Sequence, residues 1–253
     1  MISVVLLGTG NVSKNLFESF LNNSDIDVVQ VIGRTQASLA YFKDRAKTTT
    51  DWENLPIADI CILAINDDAI EEVSKLLNTD SLVVHTSGSV PIKALQLHKR
   101  YGVFYPLQTF TAQKIIALDE VPICIETEWE EDLEQLNKLG ALLSNRIVSL
   151  SSEKRKMLHL SAVFVNNFAN HMYTIASQIC KKNNLDFELL NPLIKETVAK
   201  LDTLTPEKAQ TGPAKRGDFK TLHEHLTLLK EPQHREIYKL LSNAIKASYG
   251  EKL

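Results

Sequence analysis

Residues 4–16 read VVLLGTGNVSKNL, and this stretch decides the fold. Four apolar residues, typical of a strand buried on both faces, lead into a glycine turn and then a helical pattern over residues 12–21. Gly8 permits the tight turn, and Gly10 lets the backbone approach a pyrophosphate resting on the helix N-terminus. Ser13 is a small substitute at the place of a third glycine. The stretch therefore predicts a dinucleotide-binding turn formed by Gly8, Thr9, Gly10, Asn11 and Val12.

Strands and helices alternate over the first half of the chain. Apolar runs predict strands at residues 27–33, 58–65, 81–88, 101–106, 121–127 and 146–150, with a short one at 47–50, and helical patterns lie at residues 38–45, 67–77 and 130–143. From residue 152 only helical patterns remain, at residues 152–183, 186–201, 218–229 and 232–249. We therefore predict an α/β fold, in which a Rossmann-like, doubly wound, mainly parallel sheet (residues 1–150) precedes an all-α domain (residues 151–253).

The composition is that of an ordinary globular protein. Hydrophobic residues make up 44% of the chain, and 28 basic against 31 acidic residues leave a net charge of −3. No basic excess favours nucleic acid, and no apolar run approaches the roughly 20 residues of a membrane helix. The three cysteines lack metal-ligand spacing and are expected to be buried thiols in a reducing compartment. We expect a cytoplasmic protein without a metal, nucleic-acid or membrane partner.

The end of the second predicted strand indicates which nucleotide binds. An NAD enzyme usually has Asp or Glu there, which holds the ribose 2′-hydroxyl. This chain has Gly33, Arg34 and Thr35 instead. An arginine can pair bidentately with a 2′-phosphate and a hydroxyl can donate to it, whereas a carboxylate would repel it. Arg34 and Thr35 therefore favour NADP(H), and a merely solvated arginine at a strand end is the alternative.

Two more loops follow predicted strands at the sheet edge where ligands bind in such folds. Residues 64–66 are placed to contact a ribose of the nucleotide, and the small residues 86–88 can pass close to nicotinamide and substrate. His85, inside the strand before them, is either a core histidine or part of the site. The cofactor contacts predicted from these loops are Ala64, Ile65, Asn66, Thr86, Ser87 and Gly88.

Residues 157–173, MLHLSAVFVNNFANHMY, predict a helix that is apolar on nearly every side but carries a polar stripe. At 100° per residue, His159, Asn166 and Asn170 fall within about 40° of one another, and Asn167 lies next to them. Such a helix should be buried, so its stripe either makes core hydrogen bonds or faces a ligand cleft. We favour the cleft, where His159 is a candidate acid, Asn166 and Asn170 orient the substrate, and Asn167 contacts it.

Two other segments offer polar groups to a substrate. In GVFYPLQTF, residues 102–110, Tyr105 can donate a proton or a hydrogen bond, and Gln108 can line the site. In TGPAKRGD, residues 211–218, Lys215 and Arg216 stand before a helix that Asp218 caps, beside its positive end. These two cations can bind a carboxylate or phosphate of the substrate, and solvated cations on a capped loop are an equally good interpretation.

With these residues in hand, the chain resembles the NADP oxidoreductases that join a Rossmann-like N-terminal half to a helical C-terminal domain. The resemblance spans nearly the whole chain, and its most specific parts are FYPLQTF, HLSAVFVNNFANH and TGPAKRGD. The family is similar in layout to pyrroline-5-carboxylate reductase, ketopantoate reductase and the deazaflavin-dependent NADP oxidoreductases. In those relatives the helical domain, often dimeric, closes the site over nicotinamide, so the resemblance implies NADP(H) and a homodimer.

The resemblance does not supply a substrate. Many relatives carry histidine where this chain has Tyr105, and the lysine–asparagine pair of the hydroxyacid dehydrogenases is absent, since Val163 follows His159 by four residues. Our first hypothesis is an NADP-dependent oxidoreductase that transfers a hydride between nicotinamide and a small, anionic substrate. The alternatives are an NADP-binding sensor without turnover and a deazaflavin-dependent NADP reductase.

Overall fold

The computed structural model describes residues 1–249, and its first part is built on an eight-stranded sheet. The spatial order is β3-β2-β1-β4-β5-β6-β7-β8, and every neighbouring pair is parallel except β6 with β7. The predicted doubly wound, mainly parallel sheet is therefore confirmed. The strands are β1 (Ile2–Leu7), β2 (Ile26–Ile32), β3 (Thr48–Thr49), β4 (Ile60–Leu63), β5 (Leu82–His85), β6 (Tyr101–Pro106), β7 (Ile123–Thr127) and β8 (Ile147–Ser149).

The strand order creates a crevice for a ligand. From β1 the chain first builds outward through β2 and β3, then returns to pair β4 with the other edge of β1. The connections that follow β1 and β4 therefore leave the sheet in opposite directions, and a crevice opens between them beyond the carboxyl ends of these two strands. In open α/β sheets, ligands bind in this crevice. The glycine turn after β1 and residues 64–66 after β4 both lie at this edge.

Strand β1 is buried on both faces, as its apolar run predicts. Val4 and Leu6 belong to one core cluster, whereas Val5 and Leu7 belong to another. Side chains alternate between the two faces of a strand, so β1 contributes to the core on each side of the sheet. Helix α1 (Asn11–Leu21) packs Leu16, Phe17 and Phe20 into the first cluster.

The helix predicted over residues 38–45 is wrong. Helix α2 (Gln36–Leu39) is a single turn, and residues 40–45 continue as turns. The Tyr41 hydroxyl and the Arg45 guanidinium, which follow the end of α2, both bind the Glu18 carboxylate on α1. The segment that was predicted to be helical is therefore held by a residue distant in the sequence. The remaining helices between the strands are α3 (Ile70–Ser74) and α4 (Glu130–Ala141).

The chain forms two compact units, Met1–Asn167 and Phe168–Leu253. The strands end at Ser149, but the units divide later, inside one long helix made of α5 (Ser152–Ala162), a π-helical segment (Val163–Phe168) and α6 (Ala169–Lys182). Within the described residues the second unit contains helices joined by short connections and no strand, as predicted. Its other helices are α7 (Asn191–Ala199), α8 (Pro206–Ala209), α9 (Pro213–Arg216), α10 (Phe219–Leu228) and α11 (Pro232–Tyr249).

Up to residue 249, none of the helices combines the length with the apolar character that crossing a membrane would require.

Candidate active site

The turn after β1 can be built only with glycine at residue 8. Gly8 has φ +114°, and a Cβ atom there would lie 2.1 Å from the carbonyl oxygen of Ala64. A Cβ at Gly10, by contrast, would meet no atom within 4 Å. Ser13 is buried where a third glycine is usual, and its hydroxyl donates to the Gly8 carbonyl at 2.6 Å. The turn is therefore closed towards β4 and open at Gly10, as a cradle for a pyrophosphate needs to be.

A cavity of about 630 Å³ opens beside this turn. Its volume lies within the range of about 300–1,000 Å³ usual for small-molecule sites. Nine of the predicted cofactor residues line it: Gly8, Thr9, Gly10, Asn11, Val12, Arg34, Ala64, Ile65 and Asn66. The structure thus brings the glycine turn, the end of β2 and the end of β4 around one space.

The two predicted phosphate ligands after β2 differ in their surroundings. Arg34 lines the cavity, is exposed, and has no carboxylate paired with it among residues 1–249. Thr35 does not line the cavity; it caps α2, where its hydroxyl oxygen accepts the Ser38 backbone N–H at 3.2 Å. Arg34 is therefore the cation available to a 2′-phosphate at this end.

A second cluster of candidate site residues lies at the carboxyl ends of β5 and β6. The hydroxyl of Tyr105 and Nδ1 of His159 are 3.0 Å apart in a hydrogen bond, and the two rings pack edge to face. Gly88 lies against this pair, since a Cβ at residue 88 would sit 2.7 Å from His159 Nδ1 and from Tyr105 Cζ. Residues that are distant in sequence, which the sequence placed in three separate candidate segments, thus meet in one cluster.

Tyr105 is buried and its hydroxyl is neutral. Only 8% of the residue is exposed, and burial raises the pKa of its hydroxyl to about 12. A hydroxyl with this pKa keeps its proton at neutral pH and can donate it to a basic atom. His159 Nδ1, at hydrogen-bond distance, can return a proton to the tyrosine oxygen. Together the two side chains have the parts of a short proton relay.

An ion pair fixes the helix that carries His159. The Arg155 guanidinium, 1% exposed, binds the Glu126 carboxylate of β7 and the Val90 carbonyl. The same carboxylate accepts the backbone N–H of Ser152 at 2.8 Å, at the first turn of α5. Buried charges are expensive unless they are paired, so this network strongly favours one placement of α5 against the sheet. His159, one turn after Arg155, is positioned by it.

His85 belongs to the core beneath this cluster. It is fully buried, and its Nδ1 accepts the backbone N–H of Ser87 at 3.2 Å, which leaves the ring proton on Nε2. Burial lowers the pKa of His85 to about 3. Thr86 and Ser87 after it are also buried, and neither lines the cavity. His85 therefore holds the loop that leads to Gly88 in shape.

We expect His85 to make the protein less stable in acid. The unfolded chain protonates this histidine near pH 6.5 whereas the folded chain does so only near pH 3, so stability is complete above pH 6.5 and is lost as the pH falls. Between pH 7 and pH 4 the loss is about 3 kcal/mol. Urea unfolding at both pH values should show that His85→Asn, which retains an acceptor for Ser87, removes this part of the acid sensitivity. The control His223→Asn, at an exposed histidine, should retain this acid sensitivity. An equal fall in the free energy of unfolding between pH 7 and pH 4 in both variants would contradict the assignment.

The long helix departs from its prediction in two ways. It is not a regular α-helix, because residues 163–168 are π-helical and shift the angular positions that 100° per residue implies. It is also not buried within the chain, since Phe164 and Val165 are 63% and 77% exposed. Asn166 is half-buried, whereas Asn167 and Asn170 are exposed. The 100° spacing from which the polar stripe was predicted therefore does not hold across residues 163–168. π-helical segments are frequent at functional sites.

The other predicted substrate residues make local contacts, each within its own unit. The Gln108 side chain turns back to accept the backbone N–H of Thr109 at 2.8 Å. In the second unit, Lys215 Nζ donates to the Gln210 carbonyl at 2.8 Å and lies over the Tyr249 ring. Arg216, on α9, is exposed. Because its side chain is exposed, Arg216 is accessible to a ligand.

Five cavity residues were missed from the sequence. They are mostly apolar, and apolar residues carry no chemical signal that separates a pocket wall from a core. The position of Trp52, just after the predicted third strand at the ligand-binding edge, was the one available clue. The missed residues are Trp52, Ala69, Val73, Leu76 and Phe110.

Two family profiles match the chain, one in each part. Residues 3–88 match the family described as NADP oxidoreductase, coenzyme F420-dependent. Residues 121–245 match a domain family of unknown function, DUF2520. None of the curated proteins matches the chain.

Solved structures extend the match to the whole chain. A Bacteroides fragilis protein assigned as an NADP oxidoreductase is 38% identical, with a TM-score of 0.88, over 96% of this chain and 97% of that one. A reductive aminase from Aspergillus terreus in complex with NADPH and ethyl levulinate has a TM-score of 0.72 at 13% identity, over 100% and 95%. An imine reductase from Myxococcus stipitatus in complex with NADP+ has a TM-score of 0.67 at 15% identity, over 98% and 93%. The last two share the fold.

Proposed function

Because this chain belongs to the family of NADP oxidoreductases, we propose that it transfers a hydride between NADP(H) and a small C=O or C=N substrate. The observation that carries the proposal is the pairing of Tyr105 with His159 beside Gly88, at the same sheet edge as the cavity. Strands β2, β1, β4, β5 and β6 are consecutive neighbours in the sheet. In this proposal Arg34 holds the 2′-phosphate of the nucleotide and the pyrophosphate lies at Gly10. The nicotinamide is then directed along the sheet edge towards Tyr105 and His159.

The proton follows a simple route in this proposal. Bound NADPH supplies the hydride that forms the new C–H bond. Tyr105 donates its hydroxyl proton to the oxygen or nitrogen of the former double bond, and His159 then passes a proton from Nδ1 to the tyrosine oxygen while its Nε2 takes one up from solvent. Positioned acids of this kind accelerate reactions by about 10²–10⁴. His159 is the acid of the sequence prediction, now acting through Tyr105.

An activity assay tests the proposal against its alternatives. Purified protein, NADPH and a panel of small imines, ketones and keto acids should show substrate-dependent loss of NADPH. A protein that binds NADPH but oxidises it with no substrate of the panel would favour the sensor. Oxidation that requires an added deazaflavin would favour the deazaflavin-dependent NADP reductase, an alternative supported by the family matched over residues 3–88. Keto acids test the anionic substrate, a prediction that rests on Lys215 and Arg216.

The cofactor preference gives a sharp prediction at Arg34. We expect Arg34→Ala to raise the Kd of NADPH by a factor of about 10 to 100, because charge-assisted hydrogen bonds to a 2′-phosphate are lost. The Kd of NADH, which has no phosphate there, should stay the same. Titration calorimetry measures both constants, and Lys43→Ala, which removes an exposed charge outside the cavity, should change neither. A ratio of the two constants that Arg34→Ala leaves untouched would contradict the role.

We also propose that the protein is a homodimer. Among residues 168–249 the buried apolar side chains are few and mostly small: Cys180, Ala209, Ala214 and Leu222. Leu189, Leu193, Phe219, Leu228 and Leu240, by contrast, are each more than 60% exposed. Monomeric proteins rarely expose so much apolar surface, and obligate homodimer interfaces are hydrophobic enough to cover it. A second copy of the same chain supplies a surface of matching character.

The assembly is checked by mass. Light scattering on the purified protein should give about twice the 28.4 kDa of the chain, with a Tm that rises with protein concentration. Leu193→Glu is expected to weaken the dimer, whereas Lys195→Glu, which places the same acidic side chain on another face of α7, should not. A single-chain mass at micromolar concentration would remove the dimer from the proposal.

Three parts of the proposal rest on the sequence prediction. Asn166 and Asn170 are assigned to orienting the substrate, and Asn167 to contacting it. The division into a nucleotide-binding domain and a helical domain for substrate and dimerisation is also retained. The cytoplasm is the proposed location, and the buried free thiols of Cys61, Cys124 and Cys180 suit its reducing conditions.

A further inference from the structure

Trp52 forms part of the cavity wall at the end where Arg34 lies. The backbone N–H of Gly33 donates to the Thr49 carbonyl at 3.1 Å, so the carboxyl ends of β2 and β3 are side by side. Arg34 follows the end of β2 by two residues, and Trp52 follows the end of β3 by three. Both side chains line the same cavity. A flat aromatic ring and a guanidinium thus border the place that the base and 2′-phosphate of NADP(H) are proposed to occupy.

The turn that carries Trp52 is well held. The Asp51 carboxylate accepts the backbone N–H groups of Glu53 and Asn54 at 3.0 and 3.2 Å and the Asn54 side-chain amide at 2.7 Å. Trp52 itself is half-buried and packs against the core cluster that contains Leu7 and Ile32. A ring supported from behind in this way loses little conformational freedom when a ligand covers its open side, which favours binding.

We propose that Trp52 is the stacking platform for the adenine ring of NADP(H), with Arg34 holding the adjacent 2′-phosphate. Adenine has a π-face and needs only a second flat ring to stack on. Ala69 and Val73, which also line the cavity, extend the apolar wall. The inference rests on the proposed function, because it requires a dinucleotide in this cavity. It adds that the adenosine part is recognised by a subsite of its own, which binds a fragment without nicotinamide.

The two tryptophans of the chain allow a direct test. Trp129 does not line the cavity; it is 46% exposed and packs edge to face on Tyr101 with ring centroids 5.3 Å apart. The variant Trp129→Phe therefore reports on Trp52 alone, and Trp52→Phe reports on Trp129 alone. Adenosine 2′,5′-bisphosphate is the probe, since it carries the base and the 2′-phosphate but lacks the reduced nicotinamide, which absorbs where tryptophan emits.

We expect the bisphosphate to change the emission of the Trp129→Phe protein saturably, with the Kd that calorimetry gives. The Trp52→Phe protein should show no change in emission. Nicotinamide mononucleotide, which has no adenine, should leave the emission of Trp52 unchanged. Trp52→Leu, which keeps an apolar side chain against the core, should raise the Kd of NADPH about 5- to 150-fold, the range measured for loss of base–aromatic stacking.

The outcomes separate this inference from the proposed function. If calorimetry shows NADPH binding with an unchanged Kd in folded Trp52→Leu, or bisphosphate binding without a change in Trp52 emission, the stacking role is wrong and the proposed function stands. If neither NADPH nor the bisphosphate binds to the unmodified protein, both are wrong.

Discussion

Replacing Tyr105 with phenylalanine is expected to lower kcat for NADPH-dependent reduction by about 10²–10⁴, the usual contribution of a positioned acid. The hydroxyl is the one group lost, and with a pKa that burial raises to about 12 it carries its proton at neutral pH, as an ordinary tyrosine also does. The Kd of NADPH should stay within about twofold, because Tyr105 does not line the cavity. Steady-state kinetics and calorimetry on one preparation measure both quantities.

Tyr101→Phe is the matched control for this substitution. Tyr101 begins the same strand and is less buried, and its ring packs against Trp129 instead of His159. Its kcat should therefore equal that of the unmodified protein. His159→Ala is expected to lower kcat as well, but by less than Tyr105→Phe. Without His159, solvent can still return a proton to the tyrosine oxygen, whereas without the tyrosine hydroxyl no positioned acid remains. Full activity of Tyr105→Phe would exclude the proposed acid.

Alanine at Gly8 should abolish NADPH binding and destabilise the fold by several kcal/mol. Its Cβ would lie 2.1 Å from the Ala64 carbonyl oxygen, and φ +114° is a backbone conformation that alanine rarely adopts. The strands β1 and β4 must move apart, or the turn must change its path. Chemical unfolding and calorimetry should therefore both show a loss.

Gly10→Ala separates the two effects. A Cβ at Gly10 meets no protein atom within 4 Å, and φ −76° suits alanine, so the free energy of unfolding should change by less than about 1 kcal/mol. The same Cβ projects where the pyrophosphate is proposed to lie, so the Kd of NADPH should rise at least about tenfold. Normal NADPH affinity in Gly10→Ala would place the nucleotide elsewhere.

Local patterns account for what was predictable about the fold. The two faces of β1 follow from its uninterrupted apolar run, and the turn at Gly8 follows from glycine between a strand and a helix. Both features are set by residues close together in the chain. The prediction over residues 38–45 was wrong for the opposite reason: it was made from local spacing, whereas Tyr41 and Arg45 bind Glu18, more than twenty residues earlier.

The candidate site also has one part that could be predicted from the sequence and another that could not. The sequence by itself predicted the proposed nucleotide end, from the turn at Gly8 to Arg34, because the glycine turn and the residue after the second strand are each recognised from a few neighbouring residues. Only the tertiary structure decided the rest. It paired Tyr105 with His159 across 54 positions, made room for the pair at Gly88, and turned Trp52 into a wall of the cavity. These contacts depend on how α5 and the strand ends are packed, and packing between distant segments leaves no periodic signal in the sequence.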